Sequence, residues 1–397
     1  MNIIVGNKNS YCPVSLIVFS GLVFFVGFII QMVGILSITA TNCAALLSLV
    51  WLLLFNRGVD ARFKKHTLAY LALLASFFII GLINGSDWLG FLVYLYYFVS
   101  PLIVLMSCTL CVNKYYITDF HVYRWAPYYL LLQIFLGGFQ RVFPQDIVGF
   151  SKTQLSLEDT VSGSFYLASD ASLAFFCMLL SIFCLSASRM TLRKLIIVLL
   201  GSVVVFMTNS KAMQLLHVMV VISVSACHAL SRDSVKKVSV YLCLVLSVIC
   251  VFLFFHAEIL SIYQNFLDML QYAYDKRLAG SAAHRLAPVG ELLFGELSFF
   301  GNGFLTYFNP LSKEWLYYSG FSLLYSLYLD CGLVGVLLVN LWFLWFIVKN
   351  SKSISVALIT YGAFFAFSLF NFTLTDLSVL FSMFLLLLLL RDEECHI

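Results

Sequence analysis

Apolar residues in this chain fall into long unbroken runs. A bilayer core is crossed by a helix of roughly 20 apolar residues, and runs near that length recur along the 397-residue sequence. They predict helices over 14–30, 34–55, 67–83, 88–112, 125–143, 167–187, 195–209, 212–230, 238–257, 319–348, 354–371 and 376–390. The expected fold is an all-α polytopic membrane protein of about twelve transmembrane helices, one integral membrane domain over 1–397. An even number of crossings puts both termini on the same side. Lys8 precedes the first run and no small-residue cleavage pattern follows it, so that run reads as a spanning helix and not as a removable signal.

The polar segments between runs orient the chain. Sixteen of the 23 basic residues fall in one alternating set, among them Lys8, Arg57, Lys114, Arg189, Arg232, Lys349 and Arg391. Positive charge concentrates on the cytoplasmic side of membrane proteins, which places the other set outside. That outer set holds Arg141, Lys152, Lys211, Lys276, Arg277, Arg285 and Lys313. Two outer connections are long, over 143–165 and 257–318, and the second is the larger. Loops carry function more often than the scaffold beneath them, so the outer face is the expected working face. Only 16 residues separate Lys194 from Lys211, short for a full crossing. The Thr208-Asn209-Ser210-Lys211 turn is therefore expected below the outer membrane surface, with its lysine snorkelling or facing a polar cavity.

Composition agrees. Hydrophobic residues make up 62% and charged residues 11%, against about half and about a quarter in soluble domains. The net charge of +4 is small and its basic residues form no stripe, which argues against nucleic-acid binding. Most of the 11 cysteines lie inside apolar runs, where cysteine acts as a small hydrophobe. No CxxC or Cys/His cluster occurs, so neither a metal site nor a disulfide framework is expected.

Candidate chemistry concentrates in the larger loop and the span after it. Lys276, Arg277, His284 and Arg285 crowd one short outer segment. Arginine suits phosphate because its planar fork donates two parallel hydrogen bonds; a solvated loop or headgroup contact is the plainer alternative. Leu286, Val289, Leu293, Leu297 and Phe300 recur at near-helical spacing, which predicts a helix lying on the membrane surface. Glu296 falls at the edge of that stripe, as a candidate base or as a carboxylate that snorkels to a partner. Asp330 sits about halfway along the run 319–348, just before Gly332-Leu333-Val334-Gly335. A carboxylate in an apolar span is a functional candidate, or else it hydrogen-bonds a neighbouring helix, and the glycines mark a bend or a close helix contact. Asp170 is placed to cap a helix after Ser162-Gly163-Ser164-Phe165, and Arg141 is an interfacial anchor or a further phosphate ligand.

These motifs, in order, resemble the bacterial O-antigen polymerase and ligase superfamily, the Wzy-like polysaccharide polymerases. The Ser162-Gly163-Ser164-Phe165 run before a helix start is one match. Thr208-Asn209-Ser210-Lys211-Ala212 is similar to the family's Thr-x-Ser-Arg-x turn, with Lys in place of Arg. The large loop with Arg277 and Arg285 ends in Phe299-Phe300-Gly301-Asn302-Gly303-Phe304, similar to the family's Gly-x-Gly ending. Gly320-Phe321-Ser322 then leads to Asp330-Cys331-Gly332-Leu333-Val334-Gly335, similar to its acidic-x-Gly-Leu-x-Gly helix. The resemblance covers about the last two-thirds of the chain. Ligases of the superfamily carry His eleven residues before the first of those glycines; Phe321 stands there, which favours a polymerase.

The resemblance implies an inner-membrane glycosyltransferase working at the periplasmic face without metal or other cofactor. It would transfer a growing undecaprenyl diphosphate-linked glycan onto a new lipid-linked repeat unit, with the bilayer and a chain-length regulator as further partners and no nucleic acid. A diphosphate leaving group needs cations, for which Arg277, Arg285, Lys211 and Arg141 are the candidates. The acceptor hydroxyl needs a base, and with Arg285 the catalytic candidates are Asp330, His284 and Glu296. A ligase acting on a lipid A core acceptor and a non-enzymatic flippase of lipid-linked oligosaccharide are the competing readings. Transporters often show internal repeats; no convincing one is visible here. The orientation has a direct check. Ser312→Cys, in a background lacking reactive native thiols, should react with an impermeant thiol reagent from the outer side; labelling only after the inner membrane is permeabilised would reverse the topology.

Overall fold

Short side-chain acceptors set several helix starts. Thr191 accepts from the amide of Lys194, Ser322 from Tyr325, Ser353 from Val356 and Asp376 from Val379, each satisfying an amide that has no partner inside its helix. In chain order the helices are α1 (Gly27–Met32), α2 (Ser37–Phe55), α3 (Ala61–Ile83), α4 (Trp88–Asn113), α5 (Asp119–Val142), α6 (Pro144–Phe150), α7 (Asp170–Leu185), α8 (Leu192–Met207), α9 (Lys211–Arg232), α10 (Leu323–Asn350), α11 (Ile354–Phe370) and α12 (Leu377–Asp392). Between α9 and α10, the two-residue strands β1 (Phe308–Asn309) and β2 (Glu314–Trp315) pair antiparallel, Phe308 opposite Trp315. The computed structural model describes residues 21, 25–35, 37–55, 61–113, 118–150, 160–167, 169–187, 190–208, 210–232, 268, 298–305, 308–309, 314–315 and 322–392.

The protein is helical and membrane-spanning in character. Among the described residues, Phe63–Ile83, Trp88–Val112 and Leu323–Asn350 are long and apolar enough to cross a bilayer. Shorter apolar helices cover Asp170–Leu185, Ala212–Cys227, Ile354–Phe370 and Leu377–Leu390. Large apolar side chains remain exposed along the spans, including Leu68, Leu71, Ile79 and Leu82 on α3 and Leu92 and Leu95 on α4. A lipid environment accepts such a surface. The helices coincide with most of the predicted runs, but the predicted span 238–257 lies outside the described residues, as does most of the loop 257–318. Of the predicted span 14–30, the described helix is the short α1. The connection predicted over 143–165 contains α6, and its end from Thr160 to Leu167 is buried.

The chain forms two compact units: Met1–Leu68, Val99–His217 and Asp376–Ile397 in the first, Ala69–Phe98 and Val218–Thr375 in the second. In the second, aromatic residues fill the space beside α10. Trp342 meets Tyr70 edge-on at 4.8 Å and stacks with Phe346 at 5.5 Å, while Phe343 packs on Phe364 of α11 at 4.3 Å. In the first unit α7 is the central helix. Its residues from Ser172 to Leu185 are nearly all buried, and it packs against α8 and α12.

The first unit also holds a buried polar cradle. Tyr129, Gln133, Gly137 and Gln140 recur at three- and four-residue spacing and share one buried face of α5. Gln140 accepts from the amides of Ser162 (3.0 Å) and Gly163 (2.7 Å) and donates to the Gly163 carbonyl (2.8 Å). Gln133 accepts from the Ser164 amide (2.8 Å) and donates to its hydroxyl (2.7 Å). Gln31 of α1 accepts from the Leu167 amide at 2.6 Å. Gly163 takes a φ of +60°, and a Cβ there would collide with Gln133. The Ser162-Gly163-Ser164-Phe165 turn thus stays inside because side-chain amides replace the water its backbone would otherwise need. Gln140→Leu strips the Gly163 amide and carbonyl of this partner at about 1–3 kcal/mol each, while the Ser162 amide keeps the Thr160 carbonyl at 3.1 Å. The expected outcome is a loss of at least about 2 kcal/mol, read by thermal unfolding in detergent; an unchanged midpoint would remove the cradle from the stability of this unit.

Candidate functional site

Helix α10 is broken at Gly332, its tenth residue. Gly332 has φ +67° and ψ −166°, a backbone region populated essentially by glycine alone. In an unbroken helix Leu333 and Val334 would donate to the carbonyls of Leu329 and Asp330. Here they donate to Ser298 (2.9 Å) and Phe299 (3.1 Å), while the carbonyls of Leu329 and Asp330 accept from Asn302 and Gly303, both at 3.0 Å. The segment Ser298–Leu305 lies antiparallel in the gap and takes over the pairing the helix gives up. The approach is close on both sides. A Cβ on Gly332 would strike the Phe299 backbone, and one on Gly301, itself at φ +78°, would strike that of Asp330.

Asp330 lies beside this junction and is buried, 7% exposed. Its Oδ2 accepts from the Tyr94 hydroxyl of α4 at 2.8 Å and from the Leu305 amide at 3.1 Å. Ser298 closes the other end: its amide donates to the Tyr328 hydroxyl at 3.1 Å, and its Oγ accepts from the Gly301 amide at 3.0 Å. The carboxylate therefore holds a loop backbone and a neighbouring helix at the same point. It sits on the eighth residue of α10 and not halfway along, because the helix starts at the Ser322 cap and runs to Asn350.

The two glycine motifs, 298–305 and 330–335, are thus brought together by the fold. Arg277, His284, Arg285 and Glu296 lie outside the described residues. Arg141 is exposed in the last turn of α5 and Lys211 is the first residue of α9; both belong to the first unit, whereas Asp330 belongs to the second. Asp170 is the first residue of α7, and Ser169 occupies the cap position; its carboxylate is in the first turn, where the helix dipole favours negative charge. The helix predicted over 286–300 does not reach its expected end. Ser298, Phe299 and Phe300 are irregular backbone, because the first two carbonyls accept from Leu333 and Val334 of α10 and the third accepts from Asn84.

Tyr94, Gln133 and Gln140 were not among the predicted residues. Two glutamines on the inward face of α5 are a readable signal, since a polar side chain at a buried span position needs a partner. Tyr94 has no such signal within the aromatic run of α4. Among the described residues no three His, Cys, Asp or Glu side chains lie together in a way that would hold a metal. No family model matches the chain, and no characterised protein matches its sequence.

The junction makes a sharp mutational prediction. Gly332→Ala adds backbone strain of about 1–3 kcal/mol and a collision with Phe299. It should lower stability by at least about 2 kcal/mol, measured by thermal unfolding of the detergent-solubilised protein. Gly362→Ala on α11, where a Cβ meets nothing within 4 Å, should stay within about 0.5 kcal/mol of wild type. Equal effects of the two changes would mean that the break at Gly332 does not constrain the fold.

Proposed function

We propose that this protein is a membrane glycan polymerase of the Wzy-like type. It would join lipid-linked oligosaccharide repeat units at the periplasmic face of a bacterial inner membrane, with undecaprenyl diphosphate as the leaving group. The topology of this reading is twelve crossings with the loop 257–318 outside. The observation that carries it is the meeting of Phe299-Phe300-Gly301-Asn302-Gly303-Phe304 with Asp330-Cys331-Gly332-Leu333-Val334-Gly335. These are two of the motifs on which the resemblance rests, and they interlock through their backbones although the sequence separates them.

In this reading Arg277 and Arg285 bind the diphosphate and stabilise the charge that develops as the glycosyl bond breaks, with Lys211 and Arg141 as secondary candidates. The Asp330 carboxylate, engaged by Tyr94 and Leu305, serves as an orienting group, and Glu296 or His284 accepts the proton of the acceptor hydroxyl. A broken helix is also a feature of transporters, whose exposed helix ends bind substrate or ions. Here the carbonyls of Leu329 and Asp330 are taken by Asn302 and Gly303 of the same chain, which favours the enzyme over the flippase.

Replacing one cation on a desolvated phosphate should lower the rate by about a hundredfold. Arg277→Ala and Arg285→Ala, at normal protein levels, should leave single repeat units on lipid A core; full-length chains from both would overturn the assignment. Complete loss of surface polysaccharide on deleting the gene would indicate the ligase instead. Asp330→Asn keeps an oxygen for Tyr94 and Leu305 but holds no charge. An orienting role predicts continued polymerisation; a stable Asn variant that polymerises nothing would return Asp330 to the role of base.

A further inference from the structure

The connection between α3 and α4 forms a socket for the segment Ser298–Leu305. Asn84 donates its side-chain amide to the Phe300 carbonyl at 2.5 Å and to the Asp330 carbonyl at 3.3 Å. Ser86 Oγ accepts from the Phe304 amide at 2.8 Å. The Phe304 ring stacks on Tyr94 with centroids 3.9 Å apart and planes 11° apart, and it meets Phe91 edge-on at 5.2 Å. The pocket under that ring exists because two helix positions lack a side chain. A Cβ on Gly81 would run into the far edge of the ring, and one on Gly90 would come within 2.7 Å of the Phe304 Cβ. Phe304 is 4% exposed as a result.

Each of these contacts acts on a group at the α10 break. Asn84 reaches across both partners of the junction, one carbonyl from the inserted segment and one from Asp330 itself. Tyr94 holds the Asp330 carboxylate with its hydroxyl and the inserted segment with its ring face. A side chain that only filled space would not need to join the two. Neither Asn84 nor Tyr94 belongs to any motif of the resemblance.

We propose that Asn84 and Tyr94 are positioning residues that fix Asp330 and the Gly301-x-Gly303 segment in register for the transfer reaction. This rests on the polymerase reading and adds to it a second, hairpin-borne set of functional side chains. The glycines at 81 and 90 make room for the anchor, Ser86 holds its backbone, and Asn84 and Tyr94 set the position of the carboxylate.

The test uses the full chain in lipid nanodiscs and in reconstituted vesicles. Asn84→Asp is nearly isosteric but, ionised, donates to neither carbonyl. Tyr94→Phe keeps the ring stack and removes the hydroxyl, so the fold is retained where a larger change would lose it. The expected result is amide exchange over 298–305 that is faster by about tenfold in Asn84→Asp, with exchange over α11 unchanged. In vesicles supplied with a lipid-linked oligosaccharide, each variant should show kcat reduced about tenfold and KM within about threefold of wild type. Unchanged exchange over 298–305 in Asn84→Asp overturns the proposal. So does faster exchange with unchanged kcat, and so does a parallel fall of kcat and folded fraction, which a merely structural role predicts. A folded wild-type protein that extends no lipid-linked oligosaccharide sinks the polymerase reading itself, and the exchange measurement then still decides whether the hairpin holds the junction.

Discussion

An amide or carbonyl left without a partner in a bilayer costs several kcal/mol, and α10 breaks at a point that would strand four of them. The break is tolerable because Ser298, Phe299, Asn302 and Gly303 supply the missing donors and acceptors with ordinary lengths of 2.9–3.1 Å. Everything distinctive about the second unit follows from that exchange. Gly301 and Gly332 are required because the two backbones approach too closely for a Cβ. Asp330 is held where the inserted segment turns away, and its carboxylate closes the turn by accepting from Leu305.

The first unit solves a related problem by different means. Its buried turn, Ser162–Phe165, pairs mainly with side-chain amides, joined by one long-range backbone bond from the Phe28 amide to the Ser164 carbonyl at 3.0 Å. Glutamine suits this because one side chain both donates and accepts, so two residues of α5 satisfy three amides, a carbonyl and a hydroxyl. Both units therefore bring irregular backbone into an apolar setting and supply it with hydrogen-bond partners from the protein. That is the condition under which non-helical backbone is tolerated at membrane depth.

Helix positions were legible because run length is a local property. The predictions over 88–112, 354–371 and 376–390 differ from α4, α11 and α12 by one or two residues. Asp330 was visible as a carboxylate in an apolar run, and Gly332 as the mark of a bend that the structure contains. What joins them to their surroundings was not visible. The contact from Tyr94 to Asp330 spans 236 positions, and nothing in the spacing of either residue encodes the other. The helix expected over 286–300 shows the limit of periodicity. Phe300 fits the apolar stripe, yet its carbonyl is taken by Asn84, and a long-range bond outweighs a local pattern. The loop cations Lys276, Arg277, His284 and Arg285 were legible only as a cluster in the sequence and lie outside the described residues.

The way α10 is completed also orders events in biogenesis. Ser298–Leu305 is synthesised before Leu323–Asn350, so its bonds to α10 form only once the later span is in the membrane. A span entering lipid alone satisfies its own backbone by remaining an unbroken helix, which requires Gly332 to take an ordinary right-handed conformation at that stage. Pairing with the earlier segment in the broken form trades two hydrogen bonds within the helix for four across the junction. The residue that permits the switch is the one without a side chain, so Gly332 would serve insertion in one backbone state and the finished protein in another.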